Sequence, residues 1–318
     1  MQLLITGSSG FIGSSLLLSL KSTRTYSITT VIRNKKNQDG VEDRSIVMNT
    51  IDQDSDWSET LFGINTVIHL AARAHILNDQ VSNPLAAFRE TNTYATLNLA
   101  QQAANAGVRR FIFISSIGVN GNQTHTKPFA ADDLPTPAEP YAISKHEAEI
   151  GLRQIAAETG MEVVIIRPPL VYGANAPGNF GQLIKTVARG IPLPLGSIHN
   201  QRSLVALPNL IDLITTCIDH PAAANQTFLV SDGEDLSTTE LLQRLSRALG
   251  KPARLLPIPQ SWLETALTLV GKRAIAQRLC GNLQVDISKT RDLLGWTPPV
   301  SVDEALRQTA QAYLQAKR

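Results

Sequence analysis

The chain has few cysteines, few aromatic residues and almost no excess of charge. Its 318 residues include two cysteines, Cys217 and Cys280, and aromatic residues make up only 5%. Two cysteines cannot build a disulfide framework, which excludes a disulfide-stapled secreted scaffold, and we expect both thiols to be buried, small apolar groups. The 29 lysines and arginines against 27 aspartates and glutamates leave a net charge of +2, which gives no indication of nucleic-acid binding.

Long hydrophobic runs are also missing. No apolar stretch reaches the roughly 20 residues that a membrane helix needs, and the N-terminus lacks the charged region and cleavage site of a secretory signal. We therefore expect a cytoplasmic protein with no integral membrane span. The stretch from Trp262 to Val270, which carries Glu264, has the pattern of an amphipathic helix. Packing against the core is its favoured interpretation, and contact with a membrane surface the minor one.

Short apolar runs alternate with helical patterns from the start of the chain. The patterns predict strands at 3–5, 26–32, 45–48, 66–70, 111–114 and 162–166, and helices at 14–20, 83–106 and 140–159. Near-continuous apolar strands between helices are typical of a parallel sheet covered on both faces. We predict a doubly wound α/β Rossmann domain over 1–168. The Gly- and Pro-rich remainder, 169–318, is predicted to form mainly a smaller substrate domain, with a late strand near 228–231 returning to the first domain.

A glycine-rich loop joins the first strand to the first helix. Gly7, Gly10 and Gly13 let the backbone approach a pyrophosphate at the N-terminus of the helix, where unpaired N–H groups favour an anion. A fold of this type that prefers NAD usually carries an acid after the second strand, whereas this chain has cations there, including Arg33 and Lys36. A guanidinium can clamp a 2′-phosphate. The sequence thus favours NADP(H), with NAD(H) possible; a merely solvated basic loop is the alternative.

A candidate catalytic set comes from two segments. Tyr141 and Lys145 are four residues apart in the predicted helix 140–159, so their side chains share one face. A phenol has a pKa of about 10, and a nearby ammonium lowers that pKa by stabilising the phenolate. Ser115 and Ser116 follow strand 111–114, whose carboxyl end faces the cleft of a parallel sheet. Ser116 could therefore hydrogen-bond a substrate oxygen and relay a proton to Tyr141.

By these residues the chain resembles the extended short-chain dehydrogenase/reductase family, which contains nucleotide-sugar epimerases, dehydratases and 4-reductases. The matching motifs run in family order over nearly the whole chain. They are Thr6-Gly7-x-x-Gly10-Phe11-Ile12-Gly13, His69-Leu70-Ala71-Ala72, Glu90-Thr91-Asn92, Ser115-Ser116, Tyr141-x-x-x-Lys145, Arg167-Pro168-Pro169-x-x-Tyr172-Gly173, Arg202-Ser203-Leu204-Val205, and Ser288-Lys289 followed by Leu294-Gly295-Trp296.

The resemblance implies a role for each matching position. Ser116 would be the catalytic serine, Tyr141 the acid and base, and Lys145 the residue that holds the nicotinamide ribose; Arg202 would bind the diphosphate of the sugar nucleotide. With Arg33 and Lys36, the cofactor contacts expected are Gly7, Ser9, Gly10, Phe11, Ile12, Gly13, Thr50, Ile51, Leu70, Ala71, Ala72, Asn92, Ser115, Tyr141, Lys145, Pro168 and Val171. The substrate contacts expected are Ser116, Ile117, Gly118, Tyr141, Asn179, Leu195 and Arg202. No metal is expected.

The chain departs from the family pattern at three places. The Asp-Ile pair that contacts adenine is represented by Thr50-Ile51, and the tyrosine of a Val-Tyr-Gly segment by Asn120. Dehydratases carry an Asp-Glu pair directly after the catalytic serine or threonine, where this chain has Ile117-Gly118. Without a carboxylate there to remove a proton, a 4,6-dehydratase is disfavoured.

Reduction and epimerisation at C4 of a hexose both remain open. The cations after the second strand favour consumption of NADPH, and the segment 189–203 resembles 4-reductases of bacterial surface-polysaccharide synthesis. The sequence therefore predicts reduction of UDP-4-keto-6-deoxy-N-acetylglucosamine to UDP-N-acetylquinovosamine by NAD(P)H. One alternative is a UDP-hexose or UDP-N-acetylhexosamine 4-epimerase with tightly bound NAD. A second is a dinucleotide-binding regulator without turnover.

The helices at 83–106 and 140–159 resemble the pair that forms a four-helix dimer interface in this family. Leu85, Phe88, Leu97 and Ala100 are the apolar residues that could supply the contact. The alternative is that they pack against the protein's own sheet. A homodimer is the expectation.

Overall fold

The computed structural model describes residues 1–23, 25–34, 41–74 and 82–316. Its main feature is a seven-stranded sheet in the order β3-β2-β1-β4-β5-β6-β9, in which every neighbouring pair is parallel. The strands are β1 (Gln2–Thr6), β2 (Ser27–Ile32), β3 (Arg44–Val47), β4 (Thr66–His69), β5 (Arg110–Ile114), β6 (Glu162–Arg167) and β9 (Thr227–Leu229). This is the predicted doubly wound sheet, and the late strand β9 joins it beside β6.

Helices cover both faces of the sheet because side chains along each strand alternate between the faces. Leu3 and Ile5 pack into one buried apolar cluster together with residues of helices α1 (Phe11–Thr23) and α7 (Leu207–Asp219). Leu4, between them in sequence, lies in a second cluster on the opposite face of the sheet, with residues of helices α4 (Ala95–Asn105) and α5 (Pro140–Thr159). The helices of this layered region are α1 (Phe11–Thr23), α2 (Ser58–Leu61), α3 (Pro84–Arg89), α4 (Ala95–Asn105), α5 (Pro140–Thr159), α7 (Leu207–Asp219) and α11 (Ser288–Leu294).

A second, smaller body is built around a three-stranded sheet in the order β10-β8-β7. Its strands are β7 (Leu170–Tyr172), β8 (Arg202–Ala206) and β10 (Asp235–Leu236), and its helices are α6 (Gly178–Ala188), α8 (Thr238–Ala248), α9 (Gln260–Leu269), α10 (Arg273–Cys280) and α12 (Val302–Gln315). It has an apolar core of its own that includes Tyr172, Phe180 and Leu242. Both cysteines are buried, as expected. Among the described residues, no helix is long and apolar enough to cross a bilayer.

Two helical predictions need correction. The helix predicted over 83–106 begins with Asn83 accepting a hydrogen bond from the Ala86 amide at 3.1 Å, but a π-helical turn, Glu90–Tyr94, separates α3 from α4. Helix α9 does exist where the pattern around Trp262 predicts it, but none of its residues is buried. Packing against the core, the favoured interpretation of that segment, is therefore wrong for most of its apolar side chains, although Leu263 is partly buried against the second core.

Candidate active site

The glycine loop after β1 is closely packed on one side and open on the other. Gly7 has a φ of +72°, and a Cβ on it would lie 2.6 Å from the Ala71 amide nitrogen. A Cβ on Gly13 would lie 2.1 Å from the Gly7 carbonyl oxygen, whereas one on Gly10 would meet only that oxygen, at 3.2 Å. The open side therefore leaves room at Gly10, directly before the N-terminus of α1. Such a cradle fits the pyrophosphate of a nicotinamide dinucleotide.

The loop lies at the point where the strand order reverses, between the carboxyl ends of β1 and β4. Gly7 touches the segment after β4 through Ala71. Ligands of open α/β sheets bind in this crevice. Of the residues expected to line it, Leu70 and Ala71 are half-buried and Ala72 is exposed. The geometry thus brings the two predicted cofactor segments together.

His69 is buried beside this crevice and links the elements around it by hydrogen bonds. Its Nε2 lies 3.0 Å from the Thr96 hydroxyl, which donates its own proton to the Asn92 carbonyl oxygen at 2.9 Å. Thr96 must therefore accept from Nε2–H, so Nδ1 is the acceptor for the Thr6 hydroxyl, 2.7 Å away. Burial, with a smaller contribution from the charge of Lys145, lowers the pKa of His69 to about 3. The imidazole is thus a neutral, fixed link between β1, β4 and α4.

Tyr141 and Lys145 occupy successive turns at the start of α5, as predicted. The Lys145 ammonium donates to the Ile114 carbonyl oxygen at 2.9 Å and lies 4.4 Å from the centroid of the Phe113 ring. It is only 1% exposed, and this burial lowers its pKa to about 7. Burial raises the pKa of Tyr141 to about 12. The ring of Tyr141 is supported edge-on by Phe88, with centroids 5.8 Å apart.

Ser116 follows β5 two residues after the carbonyl that holds Lys145. It caps a short 3₁₀ turn, Ile117–Val119, by accepting a hydrogen bond from the Gly118 amide at 3.1 Å. This turn packs on the first turn of α5, since a Cβ on Gly118 would lie 3.2 Å from the Ala142 Cβ and 3.4 Å from the Ser116 Oγ. The structure therefore brings the segments of Ser116, Tyr141 and Lys145 together at the carboxyl edge of the sheet.

Sequence reasoning missed a buried ionic network that holds this edge together. Glu149 continues the Tyr141 and Lys145 face by another turn, and it is completely buried. It accepts from Arg167 at 2.9 and 2.5 Å and from the Ser115 hydroxyl at 2.6 Å. These charge-assisted bonds hold the pKa of Glu149 below its usual value despite burial. The spacing of four residues after Lys145 was the signal in the sequence that could have revealed it.

This network engages Ser115, which is expected to contact the cofactor. Its hydroxyl donates to Glu149 and its side chain is 3% exposed, so it faces helix α5. Ser115 thereby fixes the end of β5 directly beside Ser116. Its contact with a cofactor remains a prediction.

Asn92 sits in the π-helical turn and is fully buried. Its side-chain oxygen accepts a hydrogen bond from the Arg73 amide at 2.8 Å. Its side-chain nitrogen donates to the Arg73 carbonyl oxygen and to the Ser144 hydroxyl, both at 3.1 Å. These bonds tie the segment after β4 to the start of α5. Through them Asn92 joins the two edges of the crevice; a direct contact with a cofactor remains a prediction.

The other predicted cofactor contacts are spread around the crevice. Ser9 is exposed, and Phe11 and Ile12 are half-buried at the start of α1. Arg33 is exposed directly after β2, whereas Lys36 lies outside the described residues. The remaining positions are Thr50 (exposed), Ile51 and Val171 (half-buried) and Pro168 (buried).

The predicted substrate residues lie on both sides of the cleft. Arg202, at the start of β8, is half-buried and donates to the Gly281 carbonyl oxygen at 3.0 Å. Burial, and the nearby charge of Arg278, lower its pKa. A half-buried guanidinium suits a diphosphate, to which it can donate two hydrogen bonds. Ile117 is buried and Gly118 half-buried beside Ser116, while Asn179 is exposed in α6 and Leu195 is buried.

A polar cavity of about 530 Å³ lies in the smaller body next to Arg202. Its lining includes Gln123, His199, Asn200, Gly281 and residues of α9 and α10. The candidate catalytic residues over the sheet, Ser116, Tyr141 and Lys145, are not among the residues that line it. Gly281 connects the two regions, because the same carbonyl accepts from Arg202 and from Asn200.

Comparison with known proteins agrees with this geometry. The family described as "NAD dependent epimerase/dehydratase family" matches residues 3–231. A UDP-glucose 4-epimerase of Vibrio cholerae is 48% identical over 317 residues, 99% of this chain and 96% of that protein.

Solved structures show the same fold at lower identity. The UDP-glucose 4-epimerase of Thermotoga maritima, solved with UDP-glucose, has a TM-score of 0.81 and 24% identity over the whole of both chains. The UDP-glucuronic acid 4-epimerase of Bacillus cereus, solved with UDP-glucuronic acid and NAD, also has a TM-score of 0.81, with 22% identity over 99% of this chain and 100% of that one.

Proposed function

Because the chain belongs to the NAD-dependent epimerase/dehydratase family, we propose that it is a UDP-sugar 4-epimerase with NAD as its bound cofactor. It is an enzyme of the extended short-chain dehydrogenase/reductase class, and its relatives include several enzymes named for nucleotide sugars. Its relative at 48% identity over almost the whole chain is named as a UDP-glucose 4-epimerase. That similarity favours epimerisation over the C4 reduction that the sequence predicts.

The observation that carries the proposal is the position of Lys145. Its buried ammonium is held on the Phe113 ring and the Ile114 carbonyl, one helical turn beyond Tyr141 and beside the strand end that carries Ser116. Burying a lysine costs stability, so a buried lysine beside a cleft is a candidate functional residue. In the proposed reaction Lys145 would hold the nicotinamide ribose near Tyr141 and, when protonated, would help to stabilise the phenolate.

The pKa values indicate how Tyr141 would work. Because burial raises its pKa to about 12, the phenol is protonated at rest and is ready to donate a proton to an oxygen at C4. It becomes a base only when positive charge beside it stabilises the phenolate. The cofactor, when bound, supplies hydride chemistry and, in its oxidised form, such a charge. Ser116 would hold the same C4 oxygen, and Arg202 the diphosphate.

Reduction of a 4-keto sugar by NADPH is the second candidate, and Arg33 favours it. Arg33 is exposed at the end of β2, where a ribose 2′-phosphate would lie. The choice of sugar within the UDP-sugars belongs to this proposal as well, with UDP-glucose and UDP-N-acetylglucosamine as the substrates to compare. A cytoplasmic location follows for an enzyme that uses a dinucleotide and sugar nucleotides.

The decisive experiment compares turnover with and without added reduced cofactor. We expect purified protein to convert UDP-glucose or UDP-N-acetylglucosamine to its 4-epimer, followed by NMR, without any added NADPH. Stoichiometric oxidation of NADPH with UDP-4-keto-6-deoxy-N-acetylglucosamine, and no epimer, would instead establish the reductase. If neither reaction occurs while a dinucleotide binds, the chain is a regulator.

Variants separate catalysis from folding in the same assay. Tyr141→Phe should reduce kcat at least a hundredfold, because a general acid contributes about 10² or more. Tyr26→Phe is the matched control, since Tyr26 is half-buried directly before β2, at the edge of the sheet opposite the candidate catalytic residues. Normal turnover of Tyr141→Phe would exclude the assigned role. Arg33→Ala should weaken NADPH binding if Arg33 holds a 2′-phosphate, and unchanged affinity would exclude that contact.

We also propose that the enzyme is a homodimer through α4 and α5. Tyr94, at the end of the π-helical turn directly before α4, and Ile150 in α5 are exposed large hydrophobic residues, at 44% and 52%. The predicted contact residues fit less well: Ala100 is fully buried in the core and Phe88 packs on Tyr141, while Leu85 and Leu97 are half-buried. Light scattering of the wild type and of Ile150→Glu tests this, and a monomeric wild type would refute it.

A further inference from the structure

The surface of the α9–α10 hairpin, residues 260–280, is apolar where solvent would favour polar groups. Trp262 is 70% exposed, Leu269 82%, Val270 65% and Ile275 44%. Trp262, Ala266 and Leu269 are spaced by four and three residues, so they form a stripe along one face of α9. An exposed apolar patch of this kind marks an interaction surface.

The opposite face of α9 already has its partners. Gln260 donates to Glu264 at 2.8 Å and to the Cys280 carbonyl at 3.4 Å, and Leu263 packs against the core of the smaller body. The stripe therefore points away from the protein's own packing. Nothing in the described part of the chain covers it.

The charge around the stripe indicates what covers it. Residues 260–280 contain three cations, Lys272, Arg273 and Arg278, and one carboxylate, Glu264. Arg278 is paired with Glu139 at 3.0 Å, whereas Lys272 lies in the turn between the helices, directly after Val270 and Gly271. A tryptophan and large aliphatic residues next to cations match the interface of a bilayer that contains anionic lipids. A second copy of the chain would instead bring like charges together.

We propose that the α9–α10 hairpin binds the surface of an anionic membrane. With ten residues, α9 is about 15 Å long, half the thickness of the hydrocarbon core, so it lies along the surface. Residues on its inner side, among them Gln260, Glu264 and Thr268, line the polar cavity. Docking would thus bring the cavity wall to the membrane. The inference is independent of the reaction proposed above.

The three tryptophans offer a direct spectroscopic test on the unmodified protein. Trp57 and Trp296 are buried, at 0% and 5% exposure, so Trp262 dominates any solvent-dependent change in emission. Vesicles of phosphatidylcholine with about 30 mol% phosphatidylglycerol should shift the emission to the blue. Pure phosphatidylcholine should shift it much less, and Trp262→Phe should abolish the shift. No shift with anionic vesicles would overturn the proposal.

Sedimentation with the same vesicles tests the surface itself. Leu269→Ser/Val270→Ser should weaken binding at least tenfold, and Lys272→Glu should weaken it roughly tenfold on anionic vesicles only. The matched control is Phe62→Ser/Leu134→Ser, which removes two apolar side chains that are 86% and 87% exposed elsewhere. It should bind like the wild type. Thermal unfolding verifies that each variant is folded.

Two outcomes would refute the inference in this second assay. Equal loss of binding in both double variants would show that general surface hydrophobicity is responsible. A dimeric wild type that becomes monomeric only in Leu269→Ser/Val270→Ser would assign the surface to a second copy of the chain. Epimerase activity without vesicles should be the same in wild type and control, so failure here and failure of the proposed reaction are distinguishable.

Discussion

The buried pair of Glu149 and Arg167 allows a quantitative prediction. Replacing Glu149 with glutamine keeps the size of the side chain but removes its charge. The Arg167 guanidinium, 1% exposed, would then be buried beside an amide and the Asn120 side-chain oxygen, 2.8 Å away. Removing one partner of a buried ion pair costs about 3–5 kcal/mol. We expect Glu149→Gln to lower the free energy of unfolding by about 3 kcal/mol or more.

The assay is urea unfolding near neutral pH, with a double-mutant cycle. Arg167→Gln leaves the buried Glu149 with only the half-exposed Arg153, 3.1 Å away, as an ionic partner, and should also be clearly destabilised. The double variant should lose clearly less than the sum, by about 1–3 kcal/mol. Glu158→Gln is the matched control on the same helix. Glu158 is exposed and bonded only to Gln154 among the described residues, so its replacement should change stability by less than about 0.5 kcal/mol.

Activity gives a second readout for the same variant. Because the Ser115–Glu149 bond fixes the strand end beside Ser116, Glu149→Gln should reduce kcat more than it raises KM, at a temperature where the variant is folded. A loss of stability below about 1 kcal/mol would refute the reasoning, since it would mean that the buried guanidinium does not depend on the carboxylate.

Three further perturbations follow from the same geometry. Gly13→Ala should abolish dinucleotide binding and destabilise the fold, because its Cβ would lie 2.1 Å from the Gly7 carbonyl oxygen. Gly10→Ala, whose Cβ would lie 3.2 Å from the same oxygen, should weaken binding yet leave thermal stability nearly unchanged. Calorimetry of unfolding and of dinucleotide binding distinguishes the two variants. His69→Gln should reduce acid sensitivity. The folded pKa of His69 is about 3 and the unfolded value about 6.5, so the wild type loses about 2 kcal/mol between pH 6.5 and 4.5 that the variant retains. Identical pH profiles in urea would contradict this. The pKa of Lys145 falls from 10.5 to about 7 on folding, so the cofactor-free wild type should gain about 3 kcal/mol of stability as pH rises from 7 to 9.5. Lys145→Met should not show this gain. A wild-type stability that does not change with pH over this range would count against the prediction.

The sheet and the catalytic segments could be predicted from the sequence because their signals are local. An apolar run such as Phe111 to Ile114 indicates a buried strand by itself, and the spacing of Tyr141 and Lys145 fixes a shared helix face. The helix predicted over 140–159 has these bounds in the structure. Parallel order then places strand ends at one edge, which is enough to group the catalytic residues.

What the sequence did not reveal depends on contacts between distant segments. The partner of Glu149, Arg167, is 18 residues away at the end of strand β6, and the bonds of Asn92 to Arg73 and Ser144 span 19 and 52 residues. A π-helical turn leaves no periodic pattern that differs from that of an α-helix. The exposure of α9 was mispredicted because an amphipathic pattern gives the direction of the apolar face but not what lies against it.

The path of the chain between β6 and β9 has a consequence for synthesis. Residues 168–226 leave the main sheet after β6, build part of the smaller body, and return only at β9, whose Phe228 pairs with Ile166. On the way, α7 supplies Leu210 and Ile214 to the cluster that covers β1. A ribosome that has released only the first 168 residues therefore exposes both the edge of β6 and an uncovered apolar face. The same cluster also includes Leu294 and Trp296. The larger body therefore cannot be completed ahead of the rest, and the nascent chain must be protected from self-association until these late segments have emerged.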